Sequence, residues 1–451
     1  MQPPELAAHA QRLRALQAQW QRGDASAAPL GLAKSTSNLF RDRCEGAKRR
    51  LDLGDFCHVL QFDAAAGWVD VEGLCCYDAL VDATLPQGVM PAVVPSLKRI
   101  TAAGAVAGVG IEATSFRQGL VHDTLLELDV LLPDGELLHC TPDNAHSDLF
   151  FGFANSCGTL GYALRLRLRT LPVKPCVQVR HLHHLRREAF FGALAEQFHG
   201  DADFVDGVVF GPDTQVLSLA GFIDQAPWVS DYGLENIYCR SLLQREQDVL
   251  ATRDYLWRWD TDWFWCSRRF GAQHPLLRRL IGRRRLNSRT YARWKRGNAR
   301  LGLRQRLARW RGRFTEPVIQ DMAIPLVHAE ELLHFLLREI PVLPIWICPI
   351  RAAGAWRRHV LYPLQPDTPY VNFGFRDVVE LPSPQPPGHL NRLIERKAVE
   401  LGGIQSLYSD SCFTREEFEK ACGGTDYAAL KARYDPRHRL LDLYDKCVRR
   451  A

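Results

Sequence analysis

Apolar residues recur at helical spacing between Glu5 and Trp20, through Leu6, Leu13, Leu16 and Trp20, and predict an opening helix. Two strands follow, Phe56 to Phe62 and Trp68 to Val71, around the turn Ala64-Ala65-Ala66-Gly67. A helix over Asp78 to Ala83 leads into the extended connection Pro91-Ala92-Val93-Val94-Pro95-Ser96. Leu125 to Leu132 and Glu136 to Cys140 form a hairpin about Pro133-Asp134-Gly135. Beyond Pro172-Val173-Lys174-Pro175 the pattern changes, and a domain boundary is placed there. Strands are predicted over Phe204 to Phe210, Val216 to Phe222, Leu343 to Ile350 and Tyr370 to Phe375, with a helix over Ala329 to Glu339. From about Gly388 the pattern is helical, over Leu390 to Leu401, Arg415 to Ala421 and Tyr427 to Tyr434.

The stretch from Thr101 to Gly161 organises the rest. It opens on Ala102, Ala103, Gly104, Ala105, Ala107, Gly108 and Gly110, where backbone comes close to a flat ligand without Cβ interference. It closes on a second small-residue turn, Ser156-Cys157-Gly158-Thr159-Leu160-Gly161. Two such turns flanking a hairpin suggest a backbone cradle for a cofactor carrying phosphates and rings. A third segment, Gly31-Leu32-Ala33-Lys34-Ser35-Thr36-Ser37-Asn38, offers backbone N–H groups, hydroxyls and one cation to a diphosphate; alone, it reads more readily as a solvated loop.

Composition narrows the class. A chain of 451 residues holds two or more domains, and its net charge of +6 is modest. Thirteen cysteines without a CxxC pair or zinc spacing predict free thiols in a reducing, cytoplasmic compartment. No signal peptide and no transmembrane run is expected, since Met322 to Ile350 is interrupted by Glu330, Glu331, Arg338 and Glu339. The charge concentrates between Arg268 and Arg313, a stretch without Asp or Glu in which Leu276, Leu277, Leu280, Ile281, Trp294 and Trp310 are interleaved with arginine. Peripheral docking onto an anionic membrane surface is the expectation, against a solvated basic face. No nucleic-acid recognition motif accompanies the charge, so specific nucleic-acid binding is not expected.

No GxSxG, HExxH or GxxxxGK[ST] motif occurs, and Gly104 to Gly110 is GxxxGxG, which does not fit a GxGxxG fingerprint. The order of segments between residues 30 and 172 instead resembles the PCMH-type FAD-binding domain of the vanillyl-alcohol-oxidase flavoproteins. Within that family the sequence is most similar to the Δ24-sterol reductases. The matching residues are Gly108-Val109-Gly110-Ile111-Glu112 with Ser115, Ser147-Asp148-Leu149-Phe150, and Ser156 to Gly161. Later matches are Val318-Ile319-Gln320-Asp321-Met322, Pro344 to Pro349, Leu407-Tyr408-Ser409-Asp410, Arg415-Glu416-Glu417-Phe418 and Tyr444-Asp445-Lys446.

The resemblance implies an α+β protein. Its parts are a two-subdomain FAD-binding fold over 1–172, a separate α+β substrate domain over 173–385 and a helical return over 386–451 that packs back on the flavin domain. It begins where the soluble part of those enzymes begins, which implies a chain without their N-terminal anchor. FAD is implied to be non-covalent, since the first turn holds no histidine. Ala33, Lys34, Ser35, Thr36, Ser37, Asn38, Pro95, Ser96, Thr101, Gly104, Gly108, Gly110, Ile111, Glu112, Ser115, Gly158, Thr159 and Gly161 are the implied cofactor contacts.

The implied reaction is NADPH- or NADH-dependent reduction of a carbon–carbon double bond in the side chain of a sterol or isoprenoid lipid. Such a reaction needs a proton donor opposite the hydride. Tyr408 and Asp410 are the candidates for that relay, and Glu112 is a candidate for tuning the flavin. Trp346 and Cys348 alternate with Ile345 and Ile347, so one pair faces core and the other is expected to line the substrate pocket. Each of these residues has an ordinary alternative: a core tyrosine, a turn carboxylate, core packing. Two other functions stay open, flavin-dependent oxidation of a lipid-linked sugar or polyol, and a basic membrane- or nucleic-acid-binding protein with a decayed flavin site.

Overall fold

The structure is a computed structural model that describes residues 4–22, 29–33, 49–301, 310, 312–353 and 359–449. Helix Pro4–Arg22 opens the chain, and β1 (Leu30–Leu32) pairs in parallel with β2 (Arg49–Leu51). A six-stranded antiparallel sheet comes next, from β3 (Val59–Asp63), β4 (Trp68–Glu72), β5 (Val89–Pro91), β6 (Leu125–Leu131), β7 (Leu137–Cys140) and β8 (Tyr162–Pro172). Its order is β3-β4-β8-β6-β7, with β5 also on β8.

β8 shows why this sheet forms. Its Leu166 and Leu168 point to one face and are buried in one core, each contributing about 1.5–3 kcal/mol, while Leu164, beyond a bulge, is buried in a second cluster. The alternating Arg165 and Arg167 point to the other face, where they meet Asp70 and Glu127 from neighbouring strands at 2.5–2.9 Å.

Three residues beyond Pro172 the chain enters a different sheet. It contains β9 (Cys176–His184), β10 (Phe204–Gly211), β11 (Thr214–Ile223), β12 (Gln247–Ala251), β13 (Phe314–Pro325), β14 (Ile345–Ile350), β15 (Tyr370–Leu381) and β16 (Ile404–Gln405). Their order is β12-β9-β11-β10-β14-β15-β13-β16, every neighbour antiparallel.

Period-2 alternation assigns the two faces of this sheet. Val205, Val209, Ile345, Ile347, Phe373 and Met322 pack outward against helices Arg187–Glu196, Ala329–Glu339 and His389–Glu400. Val208, Trp346, Cys348, Ile350 and Ala323 face the other way and share one core with the flavin-domain residues Val109, Ile111 and Leu160. The inner face of the large sheet therefore lies against the cradle.

Several expected elements shift by a turn. The opening of the central stretch is not a turn throughout: Ala102–Ala107 is a short helix, because Thr101 caps it by accepting from Gly104 N at 3.2 Å. The first strand begins at Val59 rather than Phe56, and the strand expected from Leu343 begins at Ile345. The terminal segment divides. Helix His389–Glu400 and β16 join the large sheet, residues 405–408 touch the turns at Gly108 and Asn155, and helix Gly424–Tyr434 packs on the first 172 residues, where Lys431 Nζ donates to Thr159 O at 2.8 Å.

The arginine-rich stretch is not one continuous solvated face. Arg278 is 3% exposed and binds Asp262, Leu234 O and Asn236 O. Arg283 pairs with Asp231, and Arg268 and Arg269 pair with Asp377. Arg279, Arg284, Arg285, Arg289 and Arg293 remain exposed, beside the exposed Leu276, Leu277 and Leu280. The described cysteines are all free thiols, and no described helix is long and apolar enough to cross a membrane.

Candidate active site

The two small-residue turns of the central stretch meet. Cys157 N donates to Ala107 O at 2.9 Å, so the second turn is tied to the end of the short helix. Three non-glycine residues on these turns hold left-handed backbone: Val109 (φ 57°), Asn155 (φ 59°) and Cys157 (φ 52°). Positive φ is a true outlier for β-branched valine, and such strain costs about 1–3 kcal/mol per residue. The fold tolerates it because Val109 is fully buried and Asn155 is fixed on every side, donating to Leu361 O and Gln405 O and accepting from Leu407 N.

The glycines differ in what their missing Cβ leaves. On Gly110 it would strike Val121 and Pro95 at 2.6 and 3.1 Å, so this glycine serves packing. At Gly104 and Gly161 the neighbours, Thr101 and Val130, are likewise protein atoms. Gly158 (φ 73°) has only ordinary contacts, the nearest being Tyr162 and the ammonium of Lys446 at 3.6 Å. Backbone in strained turns beside a lysine fits a phosphate-bearing cofactor, and the residues present thus suit FAD. Lys34, Ser35, Thr36, Ser37 and Asn38 lie outside the described residues; Ala33 N donates to Leu51 O at 2.8 Å.

Glu112 sits immediately beyond the first turn and is 3% exposed. One carboxylate oxygen accepts from Ser96 Oγ; the other accepts from Ala113 N at 3.0 Å and from Arg258 Nη2 at 3.2 Å. Glu112 N in turn donates to Ser115 Oγ at 3.1 Å. Burial pushes the Glu112 carboxyl above its usual range, and the Arg258 charge acts against that rise. Glu112 is therefore not a surface turn carboxylate.

Arg258 is 1% exposed and also donates to Asp206 Oδ2 at 2.9 Å, with its guanidinium 4.2 Å from the Tyr255 ring centroid. Asp206 accepts from the indoles of Trp259 and Trp346 at 3.3 and 3.2 Å. Cys348 Sγ lies 3.3 Å from Glu112 O, and burial holds its thiol neutral. Trp346 and Cys348 are thus bonded to the network around Glu112, while Ile345 and Ile347 face the outer helices.

A second cluster lies three strands across the same face. Trp346 pairs with Gly374, and Gly374 with Asp321. Asp321 accepts from Asn372 Nδ2 at 3.0 Å and is hydrogen-bonded to the phenol of Tyr408. Burial raises the Asp321 carboxyl to about 7. Burial and the adjacent Asp321 hold the Tyr408 phenol well above its usual range. A Cβ on Gly108 would lie 3.9 Å from Tyr408 Cβ, so this tyrosine stands beside the first cradle turn.

The hydrogen-bond partner of the Tyr408 phenol is Asp321, and the backbone of Asp410, the other residue expected in the relay, is fixed separately. Asp410 O accepts from Gln320 Nε2 and Gln405 Nε2 at 3.0 and 2.9 Å, on the side of Glu395 and helix His389–Glu400.

A sequence profile described as an FAD binding domain matches residues 4–141. The chain is 25% identical to the Delta(24)-sterol reductase of Homo sapiens over 408 residues, which covers 87% of this chain and 76% of the relative. It is 27% identical to the Delta(24)-sterol reductase of Arabidopsis thaliana over 351 residues, covering 71% and 60%. Over a shorter span of 108 residues it is 36% identical to cytokinin dehydrogenase 7 of Oryza sativa subsp. japonica, covering 24% and 20%. The chain is an FAD-dependent oxidoreductase with a PCMH-type FAD-binding domain.

In this oxidoreductase, Asp206, Arg258, Asp321 and Asn372 were not singled out by sequence reading. Asp321 lies inside a segment that the resemblance marks, and an acid between Gln320 and Met322 on that strand was the available signal. Arg258 carried none, because WRWDTDWFW reads as aromatic core and only its burial against two carboxylates gives it meaning.

Proposed function

We propose that this oxidoreductase uses NADPH or NADH to reduce an isolated carbon–carbon double bond in the side chain of a sterol or isoprenoid lipid. The observation that carries this reading is the Tyr408–Asp321 hydrogen bond beside the Gly108 turn. Bound FAD supplies hydride equivalents for one alkene carbon. The other carbon needs a proton, and Tyr408 keeps its phenol protonated at neutral pH to deliver one. Asp321, titrating near neutrality, is hydrogen-bonded to that phenol and returns the proton to it.

Trp346 and Cys348 present an indole and a neutral thiol, surfaces that suit an apolar chain better than a polyol. Glu112 and Arg258 keep the inner face of the substrate sheet in register with the flavin cradle. The cofactor is held non-covalently by the backbone of residues 104–110 and 155–161, with Lys446 as the nearby cation. The exposed Leu276, Leu277 and Leu280, with the arginines beside them, dock the protein on an anionic bilayer from which the lipid is drawn.

The test is anaerobic spectroscopy of the purified holoprotein. A yellow protein that bleaches with NADPH or NADH, and regains colour with desmosterol or a polyprenyl lipid, meets the expectation. A flavin that ignores both nicotinamides but is bleached by a lipid-linked alcohol overturns the reductive direction. A protein that takes up no FAD overturns the site.

A further inference from the structure

His122, Asp123 and His359 come together away from the two clusters described above. His122 and Asp123 belong to the short helical turn Val121–Thr124 of the flavin domain, and His359 to the connection between β14 and β15. One ligand atom from each lies within 4.8 Å of the others. We propose that these three side chains form a binding site for a divalent transition-metal ion of the zinc class.

Geometry carries the assignment. His122 Nε2 is 3.9 Å from Asp123 Oδ2, and His359 Nε2 is 3.7 Å from Asp123 Oδ1. Both separations are too long for hydrogen bonds. They approach the edge of a tetrahedron of ligands, roughly 3.4 Å for metal–ligand bonds of about 2.1 Å. The imidazoles pack edge to face with centroids 4.3 Å apart.

Two of the ligands are also held from behind. His359 Nδ1 donates to Phe151 O at 3.1 Å, which fixes the proton on that nitrogen and leaves the Nε2 lone pair facing Asp123. Asp123 Oδ2 accepts from Leu120 N at 2.8 Å. Gly119 (φ 76°) closes the wall, for a Cβ there would strike Asp123 Cβ at 2.6 Å and Ala353 Cβ at 2.7 Å.

The second observation is the unmet bonding of His122. It is 2% exposed, its Nδ1 has no partner, and its Nε2 points to a carboxylate it does not reach. A buried imidazole with unmet bonding is destabilising, and a cation bound at Nε2 would meet the lone pair that faces Asp123. The nearby cation Arg169 donates to Gln118 O instead.

Two imidazoles and one carboxylate select a first-row transition ion over calcium or magnesium, which prefer all-oxygen shells. The ion has a positioning role. The connection bearing His359 also bears Leu361, whose carbonyl accepts from Asn155 of the second cradle turn, and Tyr362, whose hydroxyl is 3.5 Å from Ser406 Oγ. Coordination thus ties the flavin domain to the support beneath the turn that carries Tyr408.

The experiment uses the full-length holoprotein, stripped with chelator, incubated with Zn²⁺ and gel-filtered before elemental analysis. The expected result is about one retained equivalent per chain, reduced about tenfold or more in His359→Ala and Asp123→Asn at unchanged FAD content. Zinc should raise the melting temperature of the unmodified protein only. No retained zinc in the unmodified protein, or equal retention in both variants, overturns the proposal. If neither variant folds, Co²⁺ loading of the unmodified protein decides. Visible bands of nitrogen–oxygen ligation support the site, and a thiolate charge-transfer band, pointing to the cysteines, or no uptake overturns it.

Discussion

Arg258 Nη2 donates to Glu112 Oε1 across 3.2 Å, and the same nitrogen lies 2.9 Å from Asp206. The bond joins residues 146 positions apart and fastens the segment that follows β12 to the end of the cradle turn. Replacing Arg258 by Leu leaves two buried carboxylates facing each other without a cation. Removing one partner from a buried ion pair costs about 3–5 kcal/mol. Arg258→Leu should therefore lower the urea midpoint sharply, and Arg258→Lys should recover only part, because an ammonium lacks the guanidinium fork. Equal midpoints for the unmodified protein and Arg258→Leu would show that the network carries no stability.

Tyr408→Phe removes the proposed proton donor and little volume. Re-oxidation of the reduced enzyme by an alkene substrate should slow about 10²–10⁴-fold. FAD content and bleaching by the nicotinamide should be unchanged. Stopped-flow measurement of the two half-reactions separates these effects, and an undiminished second half-reaction would remove Tyr408 from the chemistry.

Glu395 is 1% exposed, accepts from Cys412 N at 2.9 Å, and is raised by burial to about 7. A carboxyl whose folded pKa exceeds its unfolded value of about 4.3 binds a proton more tightly when folded. Its stabilising contribution is full below that unfolded value and is lost as pH rises through about 7. Buried His122, His181 and His359 act in the opposite sense, being destabilising as pH falls below their ordinary range. Comparison with Glu395→Gln isolates one group. The melting temperature of the variant relative to the unmodified protein should be higher at pH 8 than at pH 5, and a difference independent of pH would contradict the assignment.

Leu276 and Leu280 are 65% and 81% exposed beside arginines that no described acid neutralises. Leu276→Glu with Leu280→Glu should weaken co-sedimentation with vesicles rich in anionic lipid about tenfold or more, without lowering the melting temperature. Raised salt should weaken the unmodified protein's binding as well. Binding that survives both changes would place the membrane contact elsewhere.

The local elements were legible because their signals are local. Helix Ala329–Glu339 and helix Arg415–Ala421 fall where apolar spacing puts them, the second with Thr414 and Glu417 in a reciprocal cap. The short helix Ala102–Ala107 was hidden because glycine and alanine read as turn, and one threonine side chain decided otherwise. Asp321 stayed hidden for a related reason: it stands 87 positions before Tyr408, on β13, and no local pattern joins the two.

The sequence by itself suggested a cofactor with phosphates and rings, through two small-residue turns about a hairpin, and its resemblance to a flavoprotein family pointed to FAD and to the segments holding Glu112, Tyr408, Trp346 and Cys348. Such motifs depend on neighbours a few residues away, and short-range chemistry is written in order along the chain. Only the tertiary structure decided that Glu112 meets Arg258 and Asp206, that Tyr408 meets Asp321, and that His359 reaches His122 and Asp123. Those pairs come from strands and turns brought together by an eight-stranded sheet laid against a six-stranded one. A buried charge acquires its meaning from what replaces water around it, and that replacement exists only after the two sheets have packed.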